Sequence, residues 1–259
     1  MNKTALITGT TSGIGYSMCE RFAQEKIDMI LVSRNIERLT EQKERLEREH
    51  NVKIWTIEQD LAAPDAARTV HEKVCESGVE LDYLIHNAGF DRAGRFAGTG
   101  IEKEKEMIQL HTVFITELTK LLLPPMISRK NGKILFVGST ASLIPCALSS
   151  VYSATKAYIL FFSLALRAEL RGTGVTSTVL CPGATRTRFA EIADLEGTPL
   201  FTKHVMSSEK VADAGYRSMM KGKAKHVPGL YNKLLVFSSK ILPTSMVERS
   251  AVKMLSKKD

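Results

Sequence analysis

Tyr152 and Lys156 are the two side chains of this sequence whose types and spacing most directly suggest chemistry. Four residues is about one turn of a helix, so on a helix the phenol and the ammonium project side by side. An ammonium within about 4–6 Å favours the phenolate and lowers the pKa of tyrosine from its ordinary value of about 10. Ser139, which follows an apolar run, can hydrogen-bond the same oxygen atom that the phenol contacts. The three side chains are therefore a candidate acid–base group, with an ordinary solvated Tyr–Lys pair as the alternative, and the pair alone does not decide between them.

The elements that would position these residues form a series in which short apolar runs alternate with longer amphipathic runs. Because the apolar runs are nearly continuous, they predict strands of a parallel sheet that helices cover on both faces. The predicted strands are residues 4–8, 29–33, 53–58, 81–86, 133–139 and 175–181, and the predicted helices are 14–26, 36–50, 64–77, 102–128, 152–171 and 208–221. No linker or compositional break divides the sequence, so we expect one doubly wound α/β domain over residues 1–259.

The first predicted strand runs into the segment TGTTSGIG at residues 8–15, and a predicted helix follows it. Glycines let the backbone approach a pyrophosphate closely, and a helix N-terminus supplies N–H groups and the positive end of a dipole. The spacing G-x-x-x-G-x-G differs from the ordinary dinucleotide fingerprint G-x-G-x-x-G, and a glycine-rich turn without a ligand is the alternative. The dinucleotide site predicted here consists of Gly9, Thr11, Ser12, Gly13, Ile14 and Gly15.

The end of the second predicted strand distinguishes the two nicotinamide dinucleotides. In an NAD site this strand usually ends in an acidic residue that binds the ribose 2′-hydroxyl. Here the strand ends in Ser33 and Arg34, and Arg38 lies one helical turn further on. A guanidinium can donate two parallel hydrogen bonds to a phosphate, so these residues favour NADP over NAD. The alternative is that both arginines are solvated charges at a helix start.

Four motifs agree in order and spacing with the short-chain dehydrogenase/reductase family, which the sequence resembles over residues 4 to about 190. They are TGTTSGIG at 8–15, NAG at 87–89, Ser139 with YSATK at 152–156, and PGATRT at 182–187. The similarity extends to a branch that has SRN after the second strand and a segment like PGLYNK, here at 228–233, and that contains many uncharacterised NADP-preferring reductases. The resemblance implies a Rossmann-type sheet and an NADPH-dependent carbonyl reductase, or the reverse alcohol dehydrogenase, with Tyr152 as general acid and base.

The resemblance also implies roles for residues that follow the other strands. Lys156 would bind the ribose hydroxyls of the nicotinamide half in addition to acting on Tyr152. Asp60 and Leu61 match a pair that contacts adenine. The segment Asn87, Ala88 and Gly89 would flank the central ribose, with a bracing role in the sheet also expected for Asn87. The residues that would meet the nicotinamide carboxamide are Pro182, Gly183, Thr185 and Thr187.

His111 departs from the family pattern, because it occupies the position where the family usually has an asparagine that helps to hold a water next to the lysine. A histidine can also bond a water, and its ordinary pKa lies near neutrality, so it is a candidate catalytic residue. A satisfied histidine buried between helices is an equal alternative.

The loops that follow the strands are the expected substrate-binding segments. The candidates are residues 90–100, 141–149 and 185–207, with an apolar wall made by Leu143, Ile144, Cys146 and Phe189. This composition favours a hydrophobic ketone or a 3-oxoacyl chain.

The charge distribution sets expectations about partners. The net charge is +8, and residues 229–259 hold six Lys or Arg against two acidic residues. The segment at about 229–257 is basic and amphipathic, so contact with an anionic membrane surface is one possibility, and covering the cavity or joining subunits are others. No nucleic-acid-binding motif appears, and we expect none of that binding. By resemblance, we expect a homodimer or homotetramer formed through the helices at 102–128 and 152–171.

The spacing of the cysteines and the N-terminal residues indicate the cellular compartment in which we expect the protein. Cys19, Cys75, Cys146 and Cys181 lie far apart without a C-x-x-C pair, so we expect neither a metal site nor disulfides. The first residues show no apolar leader segment, and a cytoplasmic setting fits best.

The functional alternative to a reductase is a regulatory or redox-sensing dinucleotide-binding protein with weak turnover, for which the His111 substitution is the main support. A structural interaction protein without cofactor affinity is a third possibility.

Overall fold

The computed structural model describes residues 2–256 of the protein. Apart from the last and shortest strand, at one edge, the strands of the main sheet are short apolar runs whose residues are largely buried, as expected for a sheet covered by helices on both sides. They are β1 (Thr4–Thr8), β2 (Asp28–Ser33), β3 (Ile54–Glu58), β4 (Tyr83–His86), β5 (Gly132–Val137), β6 (Val175–Leu180) and β9 (Lys225–His226).

The order of the strands across this sheet is β3-β2-β1-β4-β5-β6-β9, and each neighbouring pair is parallel. The order reverses between β1 and β4, which creates a crevice outside the carboxyl ends of these two strands. A second, two-stranded parallel sheet pairs β7 (Thr185–Arg186) with β8 (Met206–Ser207). The doubly wound parallel fold is therefore confirmed.

The helices connect the strands and cover the sheet. They are α1 (Gly13–Gln24), α2 (Ile36–His50), α3 (Ala66–Glu76), α4 (Ile101–Ile108), α5 (Ile115–Ser128), α6 (Ser150–Glu169), α7 (Phe189–Ile192), α8 (Pro199–Thr202), α9 (Ser208–Met220), α10 (Leu230–Ile241) and α11 (Thr244–Leu255). A π-helical turn (Gln109–Phe114) joins α4 to α5.

Two apolar cores lie on opposite faces of the sheet because side chains alternate along each strand. Leu6 of β1 belongs to the core that α3, α5 and α6 cover, whereas Ala5 and Ile7 belong to the core covered by α1, α2 and α9. A third, small cluster joins Leu195 and Leu255 with the apolar side chains of α7 and α8. This third cluster lies outside the sheet and connects the end of α11 to the loops after β6.

Trp55 lies on β3, at one edge of the main sheet. The side chain is partly buried against the core on the α3 side of the sheet. The Lys53 Nζ lies 4.6 Å from the centroid of the indole ring, which is a cation–π geometry.

Most predicted strands and helices agree with the structure to within two residues, and the differences are informative. The helix predicted over 102–128 is interrupted by the π-helical turn, and β9 is not predicted. The predicted basic segment at 229–257 consists of α10 and α11 as far as residue 256, and residue 257 lies outside the described range. Among residues 2–256, no helix is both long enough and apolar enough to cross a bilayer.

Candidate active site

A cavity of about 800 Å³ lies at the carboxyl edge of the main sheet. Residues one or two positions after the ends of β1, β2, β3, β4, β5 and β6 all contribute to its lining. Parallel strands bring their carboxyl ends to one edge, so segments far apart in sequence converge there. The predicted site residues that line the cavity are Gly9, Thr11, Ser12, Gly13, Ile14, Ser33, Arg34, Asp60, Leu61, Asn87, Ala88, Gly89, Ser139, Tyr152, Lys156, Pro182, Gly183, Thr185 and Thr187.

The turn between β1 and α1 has the backbone geometry of an anion-binding site. Gly9 and Gly13 have φ values of +71° and +59°, which glycine adopts without strain. Ser12 is the N-cap of α1, but its side chain makes no capping hydrogen bond, and the first turn contains no acidic side chain. The N–H groups at the start of α1 and its dipole therefore suit a phosphate group.

Gly15 does not line the cavity and has a packing role instead. A Cβ at this position would lie 2.1 Å from the carbonyl oxygen of Gly9 and 2.4 Å from Nδ2 of Asn87. The glycine thus allows α1 to approach the turn that it follows.

Arg34 and Arg38 differ in their relation to the cavity. Arg34 lines it, and the neighbouring Ser33 hydroxyl is 3.0 Å from the Thr11 hydroxyl, which links the end of β2 to the glycine turn. Arg38 is exposed outside the cavity lining, and its backbone N–H donates to the Asn35 side chain that caps α2. The structure therefore places one arginine, rather than two, at the end of β2 next to the cavity.

Asn87 braces the two central strands. Its side-chain amide donates to the carbonyl oxygens of Thr8, at 2.8 Å, and Gly9, at 3.0 Å. The Thr8 hydroxyl in turn accepts from the backbone N–H groups of Asn87 and Ala88. These bonds hold β1 and β4 together at the crevice where the strand order reverses.

Ser139, Tyr152 and Lys156 meet at the carboxyl end of β5. Ser139 caps a short 3-10 turn (Thr140–Ser142), and its side chain also contacts the Tyr152 hydroxyl. The Lys156 ammonium lies 5.6 Å from the centroid of the Tyr152 ring and donates a 3.0 Å hydrogen bond to the carbonyl oxygen of Val137. The side chains expected to handle a proton are therefore brought together beside one cavity.

The expected lowering of the Tyr152 pKa is not what the structure gives. Burial, followed by the charge on Asp91, raises the pKa of the Tyr152 phenol, and the Ser139 hydrogen bond opposes this change. Burial also lowers the pKa of Lys156 to about 8, which weakens its effect as a fixed positive charge. The phenol is consequently held in its protonated form near neutral pH.

His111 lies in the π-helical turn and is fully buried behind the cavity rather than in its lining. Its Nε2 accepts from the backbone N–H of Phe90 at 3.3 Å, so Nδ1 carries the proton and donates to the Thr155 hydroxyl at 2.9 Å. Burial and the nearby Lys156 charge hold its pKa well below the ordinary value. The expectation that His111 titrates near neutrality is therefore wrong, and the side chain joins the loop after β4 to α6.

The other end of the cavity has an apolar wall, which only partly matches the predicted one. Cys146 and Phe189 contribute to it as expected, whereas Leu143 and Ile144 do not line the cavity, and Leu143 packs against the core instead. The further apolar lining residues are Phe90, Ile192, Leu195, Leu200, Phe201 and Leu255.

The sequence did not single out three of the residues that line this end of the cavity. Asp91 and Ser149 are hydrogen-bonded to each other at 2.7 Å, and Leu255 arrives from α11. A carboxylate just after the NAG motif was a usable signal for Asp91. Leu255 had no local signal, because the packing of α11 against α8 brings it to the cavity. Among residues 2–256, no group of three or more His, Cys, Asp or Glu side chains is arranged to hold a metal ion.

Comparison with known proteins agrees with this geometry. The family model described as short chain dehydrogenase matches residues 3–195. A very-long-chain 3-oxoacyl-CoA reductase from Rattus norvegicus is 30% identical over 200 residues, which cover 74% of this chain and 62% of the relative. A ketoacyl reductase, HetN, from Nostoc sp. is 32% identical over 181 residues, covering 70% of this chain and 63% of that protein. The chain therefore matches less than two thirds of the length of these relatives.

A solved structure is similar over nearly the whole chain. A short-chain dehydrogenase from Sphingobium yanoikuyae, in complex with NADPH, is 30% identical to this chain, with a TM-score of 0.82. The match covers 92% of this chain and 94% of that one. Because the family model matches residues 3–195, the structural similarity covers a larger share of the chain than the family model does.

Proposed function

Because the chain belongs to the short-chain dehydrogenase family, we propose that it is an NADPH-dependent oxidoreductase that interconverts a carbonyl and an alcohol. The observation that carries this proposal is the meeting of Ser139, Tyr152 and Lys156 in the cavity that the glycine turn also lines. The apolar wall and the names of the 3-oxoacyl-CoA and ketoacyl reductases favour a hydrophobic ketone or a 3-oxoacyl group as substrate.

The residues around the cavity suit a nicotinamide dinucleotide, which supplies or accepts the hydride when bound. The turn after β1 and the N-terminus of α1 would hold its phosphates. Asp60 and Leu61 would contact the adenine, Asn87 to Gly89 would flank the central ribose, and Lys156 would bind the nicotinamide ribose. The residues proposed to orient the nicotinamide carboxamide are Pro182, Gly183, Thr185 and Thr187.

Tyr152 provides the proton in the reductive direction. Its raised pKa keeps the hydroxyl protonated near neutral pH, so it can donate a proton to the carbonyl oxygen of the substrate. Ser139 fixes the position of that oxygen by hydrogen bonding. The Lys156 ammonium, 5.6 Å from the centroid of the Tyr152 ring, stabilises the phenolate left after the transfer. His111 supports this arrangement by joining α6 to the loop after β4, without exchanging a proton itself.

The preference for NADPH is proposed to depend on Arg34. Among residues 2–256 this guanidinium has no ion-pair partner, so its hydrogen bonds are available for a 2′-phosphate. Isothermal titration calorimetry with NADPH and NADH tests this preference. We expect Arg34→Ala to weaken NADPH binding at least tenfold with little effect on NADH, whereas Arg48→Ala, on the far part of α2, should change neither. Equal binding of both nucleotides to the native protein would reject the assignment.

Turnover separates a reductase from a regulatory or redox-sensing protein. We expect the native protein to oxidise NADPH with hydrophobic ketones, and Tyr152→Phe to bind NADPH normally while losing at least 100-fold in kcat. Tight NADPH binding without turnover of any ketone in a broad panel would favour the regulatory alternative.

We also propose that the protein is cytoplasmic and assembles into a homodimer or homotetramer. The free thiols of Cys19, Cys75, Cys146 and Cys181 suit a reducing compartment. Val113, Tyr158 and Phe161 are exposed apolar side chains on the π-helical turn and α6, and a second copy of the chain would bury them. Analytical ultracentrifugation of the native protein and of Phe161→Ser tests the assembly.

A peripheral contact with an anionic membrane surface is proposed for α10 and α11. Leu230, Leu234, Phe237 and Ile241 follow helical spacing on α10 and are between 58 and 73% exposed. Lys233 and Lys240 lie on the same helix, Arg249 and Lys253 lie on α11, and none of the four forms an ion pair with a residue of the described range. An apolar stripe with unpaired basic residues matches a surface of acidic phospholipids.

A further inference from the structure

Asp91 is a buried carboxylate at the substrate end of the cavity, and the proposed reaction does not use it. Only 2% of this residue is exposed, although it contributes to the cavity lining. Its Oδ2 accepts from the Ser149 hydroxyl at 2.7 Å, and its Oδ1 accepts from the backbone N–H of Arg92 at 2.7 Å. None of the ion pairs within residues 2–256 involves this carboxylate. A buried charge is costly unless it is paired, so this one calls for an explanation.

The loops around Asp91 hold it in a fixed position. The backbone N–H of Gly94 donates to Leu148, and that of Ala93 donates to Ala193. The loop after β4 is thereby joined to the loop before α6 and to α7. Because Ser149 directly precedes α6, which carries Tyr152 and Lys156, the carboxylate is held at the start of the helix that bears the proposed proton donor.

The carboxylate has unused hydrogen-bonding capacity next to the reacting groups. Each ionised carboxylate oxygen can accept about two hydrogen bonds, and each oxygen of Asp91 accepts one from the protein. Its charge reaches Tyr152, Cys146 and Lys156, which line the same cavity. Burial raises the pKa of Asp91 to about 6, so the carboxylate is charged at pH 8. The hydrogen bonds from Ser149 and Arg92 and the charge on Lys156 oppose this rise of the pKa without cancelling it.

We propose that Asp91 determines substrate specificity by rejecting ketones that carry an anionic group next to the carbonyl and by accepting a hydrogen bond from a neutral donor there. The inference rests on the proposed function, since it assumes that the carbonyl reacts at Tyr152. The substrate class is then a neutral hydrophobic ketone, with a hydroxyl on the carbon next to the carbonyl preferred, and free 2-oxo acids are excluded. A substrate carboxylate would meet a second negative charge in a partly dehydrated cavity, where like charges repel strongly.

Three ketones that differ only at one end test this assignment. They are 4-phenylbutan-2-one, 1-hydroxy-4-phenylbutan-2-one and 2-oxo-4-phenylbutanoate, each assayed with NADPH at pH 8. For the native protein we expect kcat/KM to be highest for the hydroxyketone and at least 100-fold lower for the oxo acid than for the methyl ketone. Asp91→Asn keeps the shape of the side chain and removes its charge. In this variant, the kcat/KM for the oxo acid divided by that for the methyl ketone should rise at least tenfold. The excess of kcat/KM for the hydroxyketone over the methyl ketone should shrink.

Ser149→Ala is the matched control, because it removes one hydrogen bond to Asp91 and keeps the charge. In this variant, the kcat/KM for the oxo acid divided by that for the methyl ketone should stay within threefold of the native value. If Asp91→Asn does not yield folded protein, judged by NADPH binding, Asp91→Ser provides the same comparison. If the ratio of the two kcat/KM values is unchanged in Asp91→Asn, or in Asp91→Ser where that is used, the inference is overturned and the proposed function stands. Failure of the native protein to reduce any of the three ketones would count against the proposed function on this substrate class and against the inference with it.

Discussion

Lys156 places an ammonium group where the surroundings favour a neutral amine. The residue is 4% exposed, and burial lowers its pKa to about 8 from the ordinary value of 10.5. Because the folded-state pKa is depressed, the stability of the fold is highest above the unfolded-state pKa and is lost as the pH falls through about 8. A group that destabilises the fold and faces a cavity is typical of a functional site.

We therefore predict that Lys156→Met stabilises the protein and inactivates it. Lowering the pKa from 10.5 to about 8 corresponds to a destabilisation of about 3 kcal/mol, which the substitution removes. Loss of the hydrogen bond to the Val137 carbonyl costs about 1 kcal/mol in the opposite direction. The free energy of unfolding at pH 7 should therefore rise by about 2 kcal/mol. Urea denaturation measures this change, and the gain should disappear near pH 10.5. Ketone reduction should fall at least 100-fold. A variant less stable than the native protein at pH 7 would show that the buried charge is compensated.

Asp91 destabilises the fold as the pH rises, whereas Lys156 destabilises it as the pH falls. Its pKa is raised from 3.8 to about 6, so the protonated form stabilises the fold below pH 4, and this contribution is lost as the pH rises through 6. We predict that Asp91→Asn becomes more stable relative to the native protein between pH 4 and pH 8, by up to about 3 kcal/mol. Urea midpoints at the two pH values measure the change. The same difference at both pH values would mean that Asp91 does not titrate in this interval.

At the scale of elements, the turn from β1 into α1 depends on a close approach at Gly15. We predict that Gly15→Ala weakens NADPH binding at least tenfold and destabilises the fold by about 1–3 kcal/mol, because the added methyl group meets the Gly9 carbonyl and moves α1. Gly98→Ala is the control, since a Cβ there meets no atom within 4 Å. Calorimetric NADPH titration and thermal denaturation measure both effects. Native affinity in Gly15→Ala would show that α1 can shift without disturbing the site.

The sequence predicts elements well where burial itself leaves a pattern. Strands β1 to β6 are readable because parallel strands covered on both faces form continuous apolar runs. Strand β9 has only the two polar-tipped residues Lys225 and His226, and it exists because the N–H groups at the end of β6, of Val179 and Cys181, need acceptors. The π-helical turn keeps the apolar periodicity of an ordinary helix, so its position around His111 is not visible in the sequence.

The same reasoning explains which parts of the candidate site could be predicted. The residues that follow β1 to β6 share one edge of the sheet, and motif positions such as Gly13 and Tyr152 are therefore correctly placed beside the cavity. Leu255 reaches the cavity through packing of α11, and Leu143 turns into the core, and neither outcome follows from local sequence. The Tyr152 pKa was predicted with the wrong sign because its neighbours are readable from the sequence and its burial is not.

At the scale of the whole molecule, the apolar stripe of α10 is separate from the cavity and can be altered without touching it. We predict that the native protein sediments with vesicles of mixed phosphatidylcholine and phosphatidylglycerol, and less with phosphatidylcholine alone. Phe237→Ser should reduce binding to the anionic vesicles at least fivefold, because this side chain is 63% exposed on the stripe.

Phe96→Ser is the matched control for this experiment, because Phe96 is 65% exposed but lies on the loop after β4. It should leave vesicle binding unchanged. If the native protein does not sediment with either vesicle, the membrane contact is rejected. If Phe237→Ser lowers the sedimentation coefficient in the absence of lipid, a second copy of the chain covers the stripe instead.

Trp55 gives the protein a fluorescent probe at a known place. It is the single tryptophan of the 259 residues, and it lies on the edge strand β3, which leads to Asp60 in the cavity lining. Emission excited selectively from tryptophan therefore originates in the edge strand that leads to the cavity, against the core and beside the Lys53 ammonium. A dinucleotide that extends along this edge would quench the indole, and detachment of β3 would shift its emission to the red, so occupancy and edge fraying give separate optical signals without any added label.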